Sequence, residues 1–170
     1  MKTLLKSLSL KQTGLLFALA LIVLDQITKN LVVVFMYEGQ KEILPFFNLV
    51  HVWNRGVSFG LFNHEHSGAW ILSAVSLAIT VFFVRWLGKA DHKPLALALG
   101  AVIGGALGNV IDRIRFQAVV DFLDFHVGNW HYPAFNVADS AIVLGIAYII
   151  LDGLFFEPKR KTTGHHEQQV

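Results

Sequence analysis

The chain has 170 residues, 54% hydrophobic and 15% charged, with a formal charge of +2 and no cysteine. Disulfides, cysteine-ligated zinc and thiol nucleophiles are thereby excluded, and so small a charge gives no electrostatic footprint for nucleic acid. The apolar residues fall in long runs rather than at the periodicity of a soluble core, which points to the bilayer as solvent.

Crossing about 30 Å of hydrocarbon takes roughly 20 helical residues. The first such run covers residues 14–34. Lys2, Lys6 and Lys11 precede it as in a secretory leader, but no small-residue cleavage site follows Leu24. Asp25 and Gln26 come instead, then apolar sequence to Met36. It reads as an uncleaved helix. Asp25 and Lys29 lie four apart, the spacing of a facing ion pair; structural pairing is the role this favours, with the long Lys29 side chain able to reach up to the interface.

The first outer loop, residues 35–68, contains ILPFFNLVHVWNRGVSFGLF at 43–62. This stretch is aromatic, β-branched and partly alternating, and it predicts short antiparallel strands at the membrane surface. Trp53, Phe59 and Phe62 suit headgroup level. Within it, Gly56-Val57-Ser58-Phe59-Gly60 matches the nucleophile-elbow pattern, which needs the strand–turn–helix of an α/β sheet that this chain does not offer. Neither His64 and His66 nor His126 and His131 have the spacing of a familiar zinc site.

Further spans are predicted at 69–87, 95–111 and 136–156. Gly100, Gly104 and Gly108 recur every fourth residue in the third, with Gly105 beside them. Small residues at this spacing permit close helix packing in lipid and would fix Asn109, Asp112 and Arg113 at the helix end. Asp112 beside Arg113 reads as an interfacial charge pair. The second outer loop, 112–135, carries Phe122, Phe125, Trp130 and Tyr132 and is expected to hold a short surface helix. Asp152 reads as interfacial at the far end of the fourth span. Residues 1–157 read as one four-helix domain and 158–170 as a disordered tail.

Four spans put both termini on one side. That side carries Lys2, Lys6, Lys11, Arg85, Lys89, Lys93, Lys159, Arg160 and Lys161, against Lys41, Arg55, Arg113 and Arg115 on the other. The positive-inside rule makes the termini cytoplasmic.

Ionisable groups near the bilayer centre cost about 2.5–3.5 kcal/mol on insertion scales, which makes each a functional suspect. Asp139 opens the fourth span in FNVADSAI. Asn136 as N-cap and Asp139 as N3 would form a capping-box-like arrangement, a role compatible with catalysis as well as sufficient without it. Asp121 lies in VVDF, between apolar neighbours, and Asp124 is its most credible substitute. Eighteen residues separate Asp121 from Asp139, so no one helix face joins them. A loop between the outer ends of spans three and four delivers both to the same membrane face nonetheless. Two close carboxyls sharing one proton would supply a base for water and a donor for the scissile carbonyl, with no metal or cofactor.

Several motifs together resemble the bacterial lipoprotein signal peptidases, the signal peptidase II family. They are Leu24-Asp25-Gln26-x-x-Lys29, Asn54-x-Gly56-x-Ser58-Phe59, Gly104-Gly105-Ala106-x-Gly108-Asn109-x-x-Asp112-Arg113, Val119-Val120-Asp121-Phe122 and Phe135-Asn136-x-Ala138-Asp139-Ser140. The match covers all but the tail. It implies an all-α polytopic membrane protein with a small extracytoplasmic β-cradle and a short surface helix. It implies that Asp121 and Asp139 are a catalytic dyad and that Asn54, Gly56, Asn109, Arg113 and Asn136 line the substrate pocket. It also implies a monomeric, cofactor-free endopeptidase of the bacterial cytoplasmic membrane, active near the outer face. Its substrates would be prolipoproteins carrying a diacylglyceryl cysteine, cut N-terminal to that cysteine, and lipid and substrate would be its only partners.

Two rival classes make different demands. A small transporter or channel subunit needs polar residues along a helix interior, whereas here they cluster near one face. A serine protease would need Ser58.

Overall fold

The computed structural model describes residues 8–36, 39–56 and 67–156. Helix α1 (Leu10–Phe35) starts four residues before its predicted span, because Ser9 and Gln12 close a capping box there. Helix α2 spans Ser67–Leu87. Helix α3 (Lys93–Phe116) opens on Pro94 and ends at Gln117, which takes the left-handed conformation with φ 56°. It runs five residues past the predicted end, so Asp112 and Arg113 are helical and do not begin the loop. Helix α4 (Val137–Leu151) continues into a π-helical turn over Asp152–Phe156. All four helices are long and apolar enough to cross a membrane.

Helix α3 is the centre of the bundle, packed against each of the other three and buried along most of its length. The outer helices leave large apolar side chains exposed, among them Leu16, Val34, Phe82 and Leu144. In a membrane-spanning bundle such faces meet acyl chains. The glycine stripe on α3 works in two directions. A Cβ at Gly104 would lie 2.7 Å from the Ala18 carbonyl of α1, and one at Gly105 would collide with the Ala138 carbonyl of α4. Small residues therefore let both neighbours approach α3 backbone to backbone.

The outer loops form one antiparallel sheet in the order β1-β2-β3-β4. Strands β1 (Gln40–Leu44) and β2 (Phe47–Asn54) come from the first loop, as expected. The second loop differs from expectation. In place of a short helix, residues 117–136 hold β3 (Val119–Val127), a turn and β4 (Trp130–His131). The sequence VVDFLDFHV is β-branched and aromatic, and β2 offers it an edge: Asn54 pairs with Val119, Val52 with Asp121 and Asn48 with Asp124. Trp53 packs edge-on to Phe116 at 5.2 Å, tying the sheet to the end of α3. The Gly-x-Ser-x-Gly stretch beyond Gly56, with Ser58, Phe59, Phe62, His64 and His66, lies outside the described residues, as does the tail.

Candidate active site

Two local devices bring Asp121 and Asp139 to the same end of the bundle. The chain entering α4 folds back on β3: Phe122 N and Leu123 N donate to Phe135 O at 3.0 and 2.8 Å, and Phe135 N donates to Leu123 O at 3.1 Å. This bridge sets Asn136 beside Asp121. The second device is the capping box at the start of α4. Asn136 Oδ1 accepts from Asp139 N at 3.0 Å, and Asp139 Oδ2 accepts from Asn136 N at 3.2 Å. The cap read from the sequence is present, and it holds Asp139 next to strand β3, which carries Asp121.

Both carboxylates are held by asparagines. Asn54 Nδ2 donates to Asp121 Oδ2 at 2.8 Å, and Asn136 Nδ2 donates to Asp121 Oδ1 at 2.7 Å. Asn109 Nδ2 donates to Asp139 Oδ1 at 2.8 Å. Asn136 Nδ2 also lies 3.4 Å from Asn109 Oδ1, which closes a chain of side-chain amides between the two acids. Among the described residues no hydrogen bond joins the carboxyls directly.

The two acids differ in surroundings. Asp121 is buried, at 2% exposure, whereas Asp139 is half-buried. Burial pushes the Asp121 carboxyl up to about 6; the Asp139 charge pushes the same way, while the hydrogen bonds from Asn54 and Asn136 oppose it. Asp139 borders a cavity of about 320 Å³ shared with Tyr132, Phe135, Ser140, Val143 and Leu144. That volume is at the small end of ligand sites, and its walls are mostly aromatic or aliphatic.

The remaining predicted residues fall around this pair. Gly56 N donates to Asn54 Oδ1 at 2.8 Å, orienting the Asn54 amide towards Asp121. Gly56 has φ +73°, and a Cβ there would strike Leu72, so both backbone and space call for glycine. Arg113 sits one turn from Asn109, its guanidinium 3.5 Å from the Asn109 carbonyl and within the field of Asp139, Asp112 and Asp121. Asp124 lies three residues along β3 from Asp121, on the other face of an extended strand. It is taken up by Asn48 Nδ2 at 2.8 Å and His131 Nδ1 at 2.9 Å. The structure does not bring Asp124 to Asp139. Among the described residues no group of three or more His, Cys, Asp or Glu could hold a metal ion.

Two expectations change. Lys29 does not reach the interface; it is 2% exposed and its Nζ lies 2.9 Å from Asp25, 3.0 Å from Asp112 and 2.8 Å from Asn109. Were Lys29 to swing up to the interface, it would leave two buried carboxylates without their counter-charge, which costs more than hydrating the ammonium recovers. Asp112 consequently pairs with Lys29 rather than with Arg113. Asp152, at the far end of α4, is buried 3.3 Å from the His92 ring.

The cluster of Asp25, Lys29 and Asp112 was legible only as an ion pair at helical spacing. Its full extent depends on long-range contacts. Asp25 Oδ1 accepts from Ala138 N at 2.9 Å, one residue before Asp139. Asp112 Oδ2 accepts from Val120 N at 3.2 Å, one residue before Asp121. Gln26 Nε2 adds a bond to Asp112 Oδ1 at 2.8 Å. A Cβ at Gly108 would lie 2.6 Å from the Asp25 carboxylate, so this glycine makes room for the cluster.

Known proteins align with this chain over most of its length. The family described as Signal peptidase (SPase) II matches residues 17–155. A "Lipoprotein signal peptidase" of Methylorubrum extorquens is 44% identical over 160 residues, covering 89% of this chain and 91% of that protein. One from Burkholderia thailandensis is 44% identical over 140 residues, covering 81% and 84%. A solved bacterial membrane enzyme superposes with a TM-score of 0.75 at 28% identity, over 85% of this chain and 94% of that one. Another gives 0.72 at 29% identity, over 84% and 87%.

Proposed function

The chain belongs to the signal peptidase II family, and on that premise we propose that it is an aspartic endopeptidase whose dyad is Asp121 and Asp139. Membership carries the activity: removal of signal peptides from prolipoproteins by a multi-pass membrane peptidase. Cleavage falls N-terminal to a cysteine bearing a diacylglyceryl group. The reading of a non-enzymatic transporter or channel subunit has no support.

One observation carries the aspartic reading. Two carboxyls far apart in sequence converge at one end of the bundle, bound into one chain of asparagine amides beside an apolar cavity. Asp121, raised to about 6, is the member that keeps a proton. Asp139, at the N-terminus of α4 where negative charge is favoured, is the ionised base. Asp139 takes a proton from a water as that water attacks the scissile carbonyl, and Asp121 donates a hydrogen bond to the carbonyl oxygen as it becomes negative. Collapse of the tetrahedral intermediate breaks the C–N bond, and the proton held by Asp139 passes to the leaving amine. Asn54, Asn109 and Asn136 hold the acids in place, so their contact with substrate is limited to what those bonds leave free. Arg113 supplies positive charge to the developing oxyanion or to an ester of the substrate. Gly56, through its bond to Asn54 Oδ1, keeps the Asn54 amide turned towards the dyad at the edge of the substrate pocket.

The active unit is the single four-helix domain of residues 1–157, working as a monomer in the bacterial cytoplasmic membrane with both termini cytoplasmic and the dyad near the outer face. The substrate's own signal helix arrives laterally through lipid, and its acyl chains remain in the bilayer. The decisive test is Asp121→Asn and Asp139→Asn in purified, detergent-solubilised protein. Both are expected to melt as the parent does and to leave a diacylglyceryl-modified precursor uncut. Turnover by either variant at the parental rate would refute the dyad.

A further inference from the structure

We propose that Lys29 is a positioning residue for the reaction: from beneath the site, its third ammonium proton fixes the orientation of the Asn109 amide and so aims the N–H that holds Asp139. The proposal rests on the dyad reading above.

Lys29 Nζ has three N–H bonds to give and three acceptors at hydrogen-bond distance: Asp25 Oδ2, Asp112 Oδ2 and Asn109 Oδ1 at 2.9, 3.0 and 2.8 Å. Two are the carboxylates that neutralise it. The third is neutral, and it decides something. An asparagine amide can present either oxygen or nitrogen to a given neighbour, and the two orientations have nearly the same shape. An ammonium can only donate, so Lys29 admits only the orientation with Oδ1 towards itself. Nδ2 then points to Asp139 Oδ1, at 2.8 Å. The flipped amide would set N–H against N–H at Lys29 and oxygen against carboxylate at Asp139. Asn136 Nδ2, 3.4 Å from the same Oδ1, favours the same orientation weakly and has better partners in Asp121 and Val120 O.

The same cluster tethers the backbone one residue before each acid, through Asp25 to Ala138 N and through Asp112 to Val120 N. Lys29 is where these two tethers meet. An ion cluster in a helix core is costly to bury, and fastening α1 to α3 does not require it, since the glycine contacts already do so. Its position under both acids accounts for its presence in a way that packing alone does not.

The single substitution Lys29→Met strands two buried carboxylates and is a poor test. The triple variant Asp25→Asn/Lys29→Met/Asp112→Asn removes every charge yet leaves a carbonyl oxygen for Ala138 N and another for Val120 N. Besides the grip on Asn109, the Gln26 Nε2 bonds to Asp112 Oδ1 and Asp25 Oδ2 are lost, and Gln26→Ala in the parent measures that part alone. Assayed in detergent on a synthetic signal peptide with a diacylglyceryl cysteine, it is expected to fold, to keep KM within about 2-fold and to lose kcat by about 10-fold or more. Combining it with Asn109→Ala should give a kcat within about 2-fold of Asn109→Ala alone, because both changes act through one amide. Multiplied losses, an unchanged kcat or a triple variant that no longer folds would each overturn the proposal, the last by making Lys29 a folding residue. Asp139→Asn in the same preparation separates the two readings. If it is inactive while the triple variant is not, the positioning role fails alone; if it still cleaves, the dyad itself fails.

Discussion

Burial lets Asp121 hold its proton to a higher pH than an ordinary carboxyl, up to about 6, and Asn54 and Asn136 moderate that effect by bonding to the ionised form. The sign of a pH dependence follows. If Asp121 acts as the hydrogen-bond donor, its acid form is lost as pH rises through about 6, so kcat/KM falls on the alkaline side of that value. Asn54→Ala removes a hydrogen bond that favours the carboxylate, so the alkaline limb moves to higher pH, whatever happens to the height of the profile. A limb that stays in place or moves to lower pH in the Asn54 variant would assign the titration to another group. The two acids were legible in the sequence from their neighbours: Asp121 between valines and a phenylalanine, Asp139 three residues after a capping asparagine. Of the asparagines around them, Asn136 was visible from its position as a cap and Asn109 as part of a packed helix end, but the bonds of Asn54, Asn109 and Asn136 to the acids were not. An amide has no charge to betray its burial, and its role lies in which of two ends faces which partner.

Helices were the easiest elements to read, because lipid leaves the backbone no other way to satisfy its hydrogen bonds. The glycine stripe of α3 likewise announced close packing, and the structure adds where each glycine is used. Gly104→Ala would place a methyl 2.7 Å from the Ala18 carbonyl and 3.0 Å from its Cα. The backbone cannot yield as a side chain can, so α1 and α3 must separate at a cost of about 1–3 kcal/mol. Thermal unfolding in detergent should show a melting temperature lowered by several degrees for Gly104→Ala. No such loss is expected for Gly153→Ala, whose Cβ would meet nothing within 4 Å. Equal melting of the two would mean that the helices are not in backbone contact at residue 104. The second outer loop was harder. Its aromatic, β-branched sequence does not by itself rule out an interfacial helix, because a strand is identified by its partner, and β2 lies some 70 residues earlier in the chain. The same gap hid the fate of Asp124, which the register places opposite Asn48 and its side chain bonds there. Asp124→Asn is accordingly expected to keep near-parental kcat and to lose stability, about 1 kcal/mol, through its bonds to Asn48 and His131. A collapse of kcat comparable to that of Asp121→Asn would return Asp124 to the chemistry.

At the scale of the whole molecule, the sheet, the two acids and the start of α4 share one end of the bundle, while the α2–α3 turn and the end of α4 share the other. Which end faces outward rests on charge: nine Lys and Arg on the side of the termini against four on the side of the sheet. This asymmetry has a direct test, because the chain has no cysteine and any introduced thiol is the only one to label. Asn129, at the exposed β3–β4 turn, and Lys89, exposed between α2 and α3, mark the two ends. In intact spheroplasts, a membrane-impermeant maleimide should modify Asn129→Cys and leave Lys89→Cys untouched until the membrane is permeabilised. The opposite pattern would place the acids on the cytoplasmic face. A precursor that reaches its peptidase only after crossing the membrane could not then be cut there, so the orientation and the proposed chemistry stand or fall together at this point.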